Sequence, residues 1–383
     1  KRHTRLTAAM YGCLSFLLRL SGYPRLIQDP VGPYRVGMRR TRLPDSLYCE
    51  CMYPIATPDG KHEPYFRPEA ISGLAEYAQL PRDLLHHALS RPHPCPFRVP
   101  PLEGSWPIVV LVHGLGGCAE MYSQFCMFVA SFGYIVVAIE HEDGSGCHAE
   151  TSDGRTLRYT RLPAGFISSR ESILDFRKPF LEQRAAELRT VMLALAKGGG
   201  DDLAEVLSVA DRANGISLIG HSFGSATILQ FLRPTGAPPA QSTPRVRDVV
   251  LLDPWLVPVS DAVLAQGISQ PTLCILSEQW RNDEEQMLHV RPMLQRCSVL
   301  HAAMWATGTV HQSISDSSTW APAFVSKAMR ALGRLEQRDD TRLACAFACH
   351  EFFAKPQLAG HRNTARPPKP HLTIPNVLLP LSS

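Results

Sequence analysis

No short cysteine spacing recurs in this chain, although it carries eleven cysteines between Cys13 and Cys349. That lack excludes a regular disulfide framework or a zinc ribbon, both of which need paired spacings. Cys126 in "QFCMFVA" and Cys274 in "PTLCILS" sit in apolar runs and read as small buried hydrophobes. The "CAFACH" stretch, Cys345 to His350, puts two thiols on one helical face, but without a second ligand pair it reads as core. Charge of one sign is also lacking. Thirty-nine Lys and Arg face 35 Asp and Glu, a net +4 with both signs interspersed, so nothing here reads as a nucleic-acid binder. A mild positive bias would still tolerate an anionic membrane surface.

Long hydrophobic runs are missing too. The N-terminal run Leu6–Leu18 is too short to span a bilayer. With the basic residues before it, it loosely resembles a signal peptide, but Arg19 follows at once and no small-x-small cleavage site is evident. The unpaired cysteines favour a cytoplasmic, reducing setting, secretion stays open, and residues 1–30 are set apart as an N-terminal apolar segment. There is no internal repeat, H-E-x-x-H or EF-hand pattern, so neither a metal nor another cofactor is expected.

What is present is an alternation of buried strands and amphipathic helices. Tyr34–Ile55 reads as two strands around Pro44-Asp45, an antiparallel pair. Helix-like pieces follow between Pro64 and Pro101. "PIVVLV" and "YIVVAIEH" are continuous rather than alternating apolar runs, as strands covered on both faces require. Leu181, Ala185, Leu188, Val191 and Leu195 recur at helical spacing, with Arg184 and Glu187 read on the other face. Strands at Ile216–Ile219, "DVVLLD", "TLCILS" and "HAAMWAT" complete a mostly parallel central sheet flanked by helices. One α/β domain is expected over 31–354. Residues 355–383 are proline-rich and without period, and read as a solvated tail in which "RPPKP" is a linker.

The chemistry concentrates in "GISLIGHSFGSATILQFL", Gly215–Leu232. A buried strand stops at Gly-His-Ser-Phe-Gly and a helix follows, the context a nucleophile elbow needs. Ser222 is the candidate nucleophile, and His221 reads as packing. A serine hydroxyl needs a base, and the order Ser, acid, His points downstream. His289 and His350 fall on helical patterns, His301 starts a strand, and His371 lies in the tail. His311, in the glycine-bearing "TGTVHQSIS" loop after a strand, is the candidate base. Two carboxylates end strands in suitable places, Asp253 and Glu278, and spacing does not choose between them. Oxyanion donors are expected at the backbone N–H of Phe223, directly after the serine, and of Leu115 in "HGLGG".

Taken in order, "VVLVHGLGG", "ISLIGHSFGSATILQ", "VVLLDPW" and "GTVHQSISD" resemble the platelet-activating factor acetylhydrolase family of serine-dependent, calcium-independent phospholipases A2. "GPYRVG" and "SGLAEYAQL" extend the likeness over most of the chain. The resemblance implies an α/β-hydrolase fold and an acid at Asp253. It implies oxyanion donors at Leu115 and Phe223, and an aromatic of the substrate pocket at Trp255. It also implies a phospholipid substrate with a short or oxidised sn-2 acyl group. The family pattern differs at Ser225, Pro254 and Glu142. The rivals are another carboxylesterase or lipase on this fold, and a non-catalytic lipid-binding relative. A membrane or lipoprotein surface is an expected contact. Its candidate patch is Ser72–Pro92, with Leu74, Tyr77, Leu84, Leu85 and Leu89 beside Arg82 and Arg91, against a reading of the same segment as a packed helical pair.

Overall fold

The computed structural model describes residues 28–233, 244–320, 338–355 and 378–380. Most of the N-terminal segment, the "RPPKP" stretch, His361 and His371 lie outside them. The strands are β1 (Arg35–Arg42), β2 (Tyr48–Ile55), β3 (Trp106–Val112), β4 (Ile135–Ile139), β5 (His148–Glu150), β6 (Thr156–Arg158), β7 (Ala210–His221), β8 (Val246–Leu252), β9 (Pro271–Ser277), β10 (Val299–Ala306) and β11 (Leu378–Pro380). Nine of them form one sheet in the order β1-β2-β4-β3-β7-β8-β9-β10-β11. The six strands β4, β3, β7, β8, β9 and β10 run parallel, while the β1–β2 pair joins antiparallel at one edge and β11 at the other. The expected central sheet and antiparallel N-terminal pair are therefore present. The solvated-tail reading is corrected at Leu378–Pro380, which pairs with Met304–Ala306 of β10.

β3 shows why its run is continuously apolar. Ile108, Val110 and Val112 enter one core cluster and Val109 and Leu111 the other, so both faces are covered. One face packs on the helices Arg170–Ala196 and Phe223–Leu232, the other on Ser123–Ser131 and Arg338–Phe353. Cys345 and Cys349 are buried in the second cluster, as the core reading of "CAFACH" expects. The chain leaves β3 for β4 on one side and crosses back to β7 on the other. The crevice at the C-terminal ends of β3 and β7 is thus a topological switch point, where open α/β sheets bind ligands.

Four elements depart from the sequence reading. β7 begins at Ala210, in polar sequence, and its pairing with β3 shifts register between Pro107 and Ile108. The helix Asp201–Ser208 follows the triple glycine directly, and β5–β6 form a separate two-stranded hairpin. The segment 72–92 divides. Leu74 and Leu89 are buried in the core, whereas Leu84 and Leu85 are half-buried, so the helices Pro68–Ala78 and Arg82–Leu89 pack onto the fold. No helix of the described residues is long and apolar enough to cross a membrane.

Candidate active site

Ser222 follows β7 and caps the helix Phe223–Leu232 with φ 55° and ψ −118°, a conformation a side-chain-bearing residue adopts only where its surroundings impose it. The glycines of the motif impose it here. A Cβ on Gly224 would lie 2.0 Å from the Val112 carbonyl oxygen, and one on Gly220 would lie 2.7 Å from the Gly224 backbone. Helix and strand close this tightly only without those side chains. Gly224→Ala should therefore lower stability by about 3 kcal/mol, the upper end for overpacking, because backbone must yield to backbone. A melting curve checks it, and an unchanged melting temperature would show that the elbow is looser than this. Ser225, where the family pattern differs, is buried and donates to the Gly220 carbonyl at 2.7 Å. It adds a tie across the same turn.

The candidate base and acid meet this serine. Ser222 Oγ lies 2.9 Å from His311 Nε2, and His311 Nδ1 lies 3.1 Å from Asp253 Oδ2. A carboxylate only accepts, so Nδ1 carries the proton and Nε2 is free to accept from the serine. Asp253 follows β8 with φ 43° and is 3% exposed. Its two oxygens accept from the Ser277 backbone N–H at 2.5 Å and the Ser277 hydroxyl at 2.6 Å. Glu278 is placed differently. Its carboxylate accepts from the Gly308 N–H and its own N–H donates to Thr309 Oγ1, so it braces the turn before His311 rather than touching the imidazole. Trp280 stacks on the His311 ring at 4.0 Å and 12°.

Leu115 and Phe223 sit where donors are wanted. Phe223 is the first residue of its helix, so its N–H has no intrahelical partner, and Leu115 lies in the turn after β3. Neither N–H has an acceptor among the described residues. Trp255 is half-buried, packs on Phe223 with centroids 5.7 Å apart, and donates its backbone N–H to the Ser222 carbonyl.

The loop that carries Leu115, the candidate oxyanion loop, is held from below by residues that the sequence reading assigned elsewhere or passed over. Arg184, expected on the solvent face, is fully buried. It pairs with Asp143, accepts no exposure to water, and donates to the His113 carbonyl at 2.8 Å. Its position three residues after Leu181 and four before Leu188 was the available signal, since that spacing shares the apolar face. His113 Nε2 accepts the His141 backbone N–H, which leaves Nδ1–H to donate to the Gly114 carbonyl at 2.8 Å. Burial, then Arg184 and His141, push the His113 imidazole well below the ordinary histidine range. It is neutral at working pH.

Among the described residues, His221, Asp253 and His311 are the one group whose ligand atoms lie close enough to hold a metal. Their lone pairs are already engaged. Both His311 nitrogens bond within the Ser–His–Asp line, and His221 donates one nitrogen to a carbonyl. The donor set fits proton transfer and does not fit a cation.

A family model described as platelet-activating factor acetylhydrolase, isoform II, matches residues 25–353. The chain belongs to that family. The platelet-activating factor acetylhydrolase of Gallus gallus is 27% identical over 278 residues, covering 65% of this chain and 62% of the relative. That of Canis lupus familiaris is 30% identical over 233 residues, covering 55% and 48%. A putative phospholipase A2 of Schizosaccharomyces pombe is 24% identical over 212 residues, covering 48% of each chain. The chain thus spans less than two thirds of the length of these curated relatives. Among solved structures, a ferulic acid esterase from Streptomyces cinnamoneus superposes with a TM-score of 0.62 at 19% identity, covering 88% of this chain and 96% of that one. This likeness establishes the α/β-hydrolase fold of the family member described here.

Proposed function

We propose that this chain is a calcium-independent serine esterase that removes an acetyl, or another short or oxidised acyl group, from the sn-2 position of a phospholipid such as platelet-activating factor. The observation that carries it is the Ser222–His311–Asp253 line at the switch point of a member of this family. His311 Nε2 takes the Ser222 proton as Oγ attacks the ester carbonyl. The Leu115 and Phe223 N–H groups receive the negative oxygen of the tetrahedral intermediate. The proton on His311 passes to the leaving lysophospholipid alkoxide, and an acyl-serine remains. Water, deprotonated by the same nitrogen, releases the carboxylic acid and restores the serine.

The test is an acyl-chain series on sn-2 phospholipids run beside simple esters of the same acids. Phospholipids with short acyl groups should be cut faster than long-chain ones, and faster than the matching simple esters. Equal rates on all short esters would assign a general carboxylesterase instead. Failure of a fluorophosphonate to label Ser222 would leave a non-catalytic lipid binder.

Contact with a lipid surface belongs to this reading. Leu80, Leu162 and Ile167 are exposed, Ile167 to 79%. Arg161 donates to the Glu76 and Tyr77 carbonyls, which ties the Leu162 loop to the end of the helix Pro68–Ala78. Apolar tips beside arginines suit a membrane interface. Leu162→Ser with Ile167→Ser should weaken liposome binding and leave soluble-ester hydrolysis and melting temperature unchanged. Undiminished sedimentation with vesicles would refute the contact.

A further inference from the structure

We propose that Tyr122 and His221 form a hydrogen-bonded tie that holds the oxyanion loop in register with the histidine loop, which makes both of them positioning residues for the hydrolysis. The inference rests on the serine-esterase reading above. The tie has three bonds. The Gly114 N–H lies 3.1 Å from the Tyr122 hydroxyl, that hydroxyl 2.8 Å from His221 Nδ1, and His221 Nε2 3.0 Å from the His311 carbonyl oxygen.

Only one arrangement of protons satisfies all three. A carbonyl accepts, so His221 Nε2 must carry a hydrogen. In the neutral ring Nδ1 then accepts, so Tyr122 must donate to it. The tyrosine oxygen is left to receive the Gly114 N–H, and each group has its partner. A protonated His221 would deprive the Tyr122 hydroxyl of its acceptor. Burial, then the neighbouring His311, keep the His221 imidazole well below the ordinary range, so the neutral form holds. Tyr122 and His221 are 2% and 1% exposed, where a lost partner is costly.

The two ends of the tie are where the chemistry needs precision. Gly114 precedes Leu115, and the planar peptide between them carries the Leu115 N–H. A Cβ on Gly114 would lie 3.0 Å from Ser222 Cβ, so this position cannot use a side chain to fix itself. A glycine rotates freely unless bonds restrain it. Tyr122 holds its N–H, while Gly117 N–H and His113 Nδ1 hold its carbonyl. At the other end the tie grips the backbone of the base itself, and the His221 ring lies 4.6 Å from the His311 ring. A second set of bonds joins the same two segments. Asp316 N–H donates to the Met121 carbonyl, and Asp316 Oδ2 accepts the Gln124 N–H at 3.0 Å. A side chain that only filled space at position 221 would need none of these bonds.

The test compares His221→Gln, His221→Leu, Tyr122→Phe and the Phe–Leu double variant on a soluble short-chain ester. A glutamine amide offers one donor and one acceptor and can span the same gap, whereas leucine fills the space alone. Small misplacements of catalytic groups cost up to about a hundred-fold. His221→Leu and Tyr122→Phe should each lower kcat by roughly ten- to a hundred-fold with KM little changed, and His221→Gln should retain most of the rate. The double variant should be no worse than the more damaged single one, because either substitution breaks the same tie. The tie is refuted if leucine supports turnover as well as glutamine, or if the two losses multiply. Should His221→Leu fail to fold, Tyr122→Phe, which removes one oxygen and leaves the packing, decides alone: full activity overturns the proposal. An unsubstituted protein that hydrolyses no ester would refute the esterase reading, and this inference with it. A working enzyme with indifferent variants refutes the tie alone.

Discussion

Ser222→Ala and His311→Ala should each lower kcat on a soluble acyl ester by on the order of a million-fold, as removal of either group does in a comparable triad hydrolase. Among the described residues, the imidazole nitrogen placed to take its proton is His311 Nε2, 2.9 Å from the serine oxygen. Without that oxygen no acyl-serine forms. Without the imidazole, the hydroxyl attacks unassisted. The double variant should be no worse than either single one, since the two groups act as one device. Ser222→Ala removes no packing contact of size and should move the melting temperature by only a few degrees, whereas His311→Ala also gives up the stack on Trp280 and should lower it more. Initial rates, fluorophosphonate labelling and melting curves read all three expectations. A Ser222→Ala protein that kept even one part in about a hundred of the rate would place the nucleophile elsewhere.

The elbow was legible because its constraint acts on residue type. A strand that must turn into a helix within a few ångströms needs glycine at positions 220 and 224, and two glycines around a serine are visible in any sequence. His311 was legible as the candidate base from its glycine-bearing loop after a strand, since His289 and His350 fell on helical patterns, His301 at a strand start and His371 in the tail. The acid was not legible from spacing. Asp253 and Glu278 both follow a strand, and what separates them is the left-handed backbone at Asp253 and the paired donors of Ser277. No sequence pattern marks either, and the family resemblance supplied the choice. Arg184 was misplaced because a guanidinium reads as solvent-facing until its partner is known, and Asp143 lies 41 residues away. His221 and Tyr122 were hidden for the same reason. In a sequence, a buried polar residue is indistinguishable from a packed one, because its partners lie on distant segments. The early start of β7 was missed because its first residues are polar and pair at the edge of the buried run.

Asp253→Asn should cost about 10⁴ in kcat, the loss that the same change produces in a comparable triad. The reason is the proton on His311. In the native site both carboxylate oxygens accept, one from the Ser277 N–H and the other from the Ser277 hydroxyl and His311 Nδ1–H. An asparagine can offer only one acceptor. With its oxygen on the Ser277 N–H, its amide group faces His311 Nδ1 and makes that nitrogen accept. The imidazole proton then moves to Nε2, where it points at Ser222 and blocks proton transfer from the serine. Size and packing are unchanged, so the protein should stay folded. Glu278→Ala is the contrasting variant. It frees the Gly308 N–H and loosens the turn that leads to His311, but it leaves the imidazole its proton and its acid. A loss of about ten-fold or less is expected there, from positioning alone. Ser222 labelling should follow the same order, abolished in practice by Asp253→Asn and only slowed by Glu278→Ala. If Glu278→Ala silenced the enzyme while Asp253→Asn remained active, the acid would have been assigned to the wrong strand.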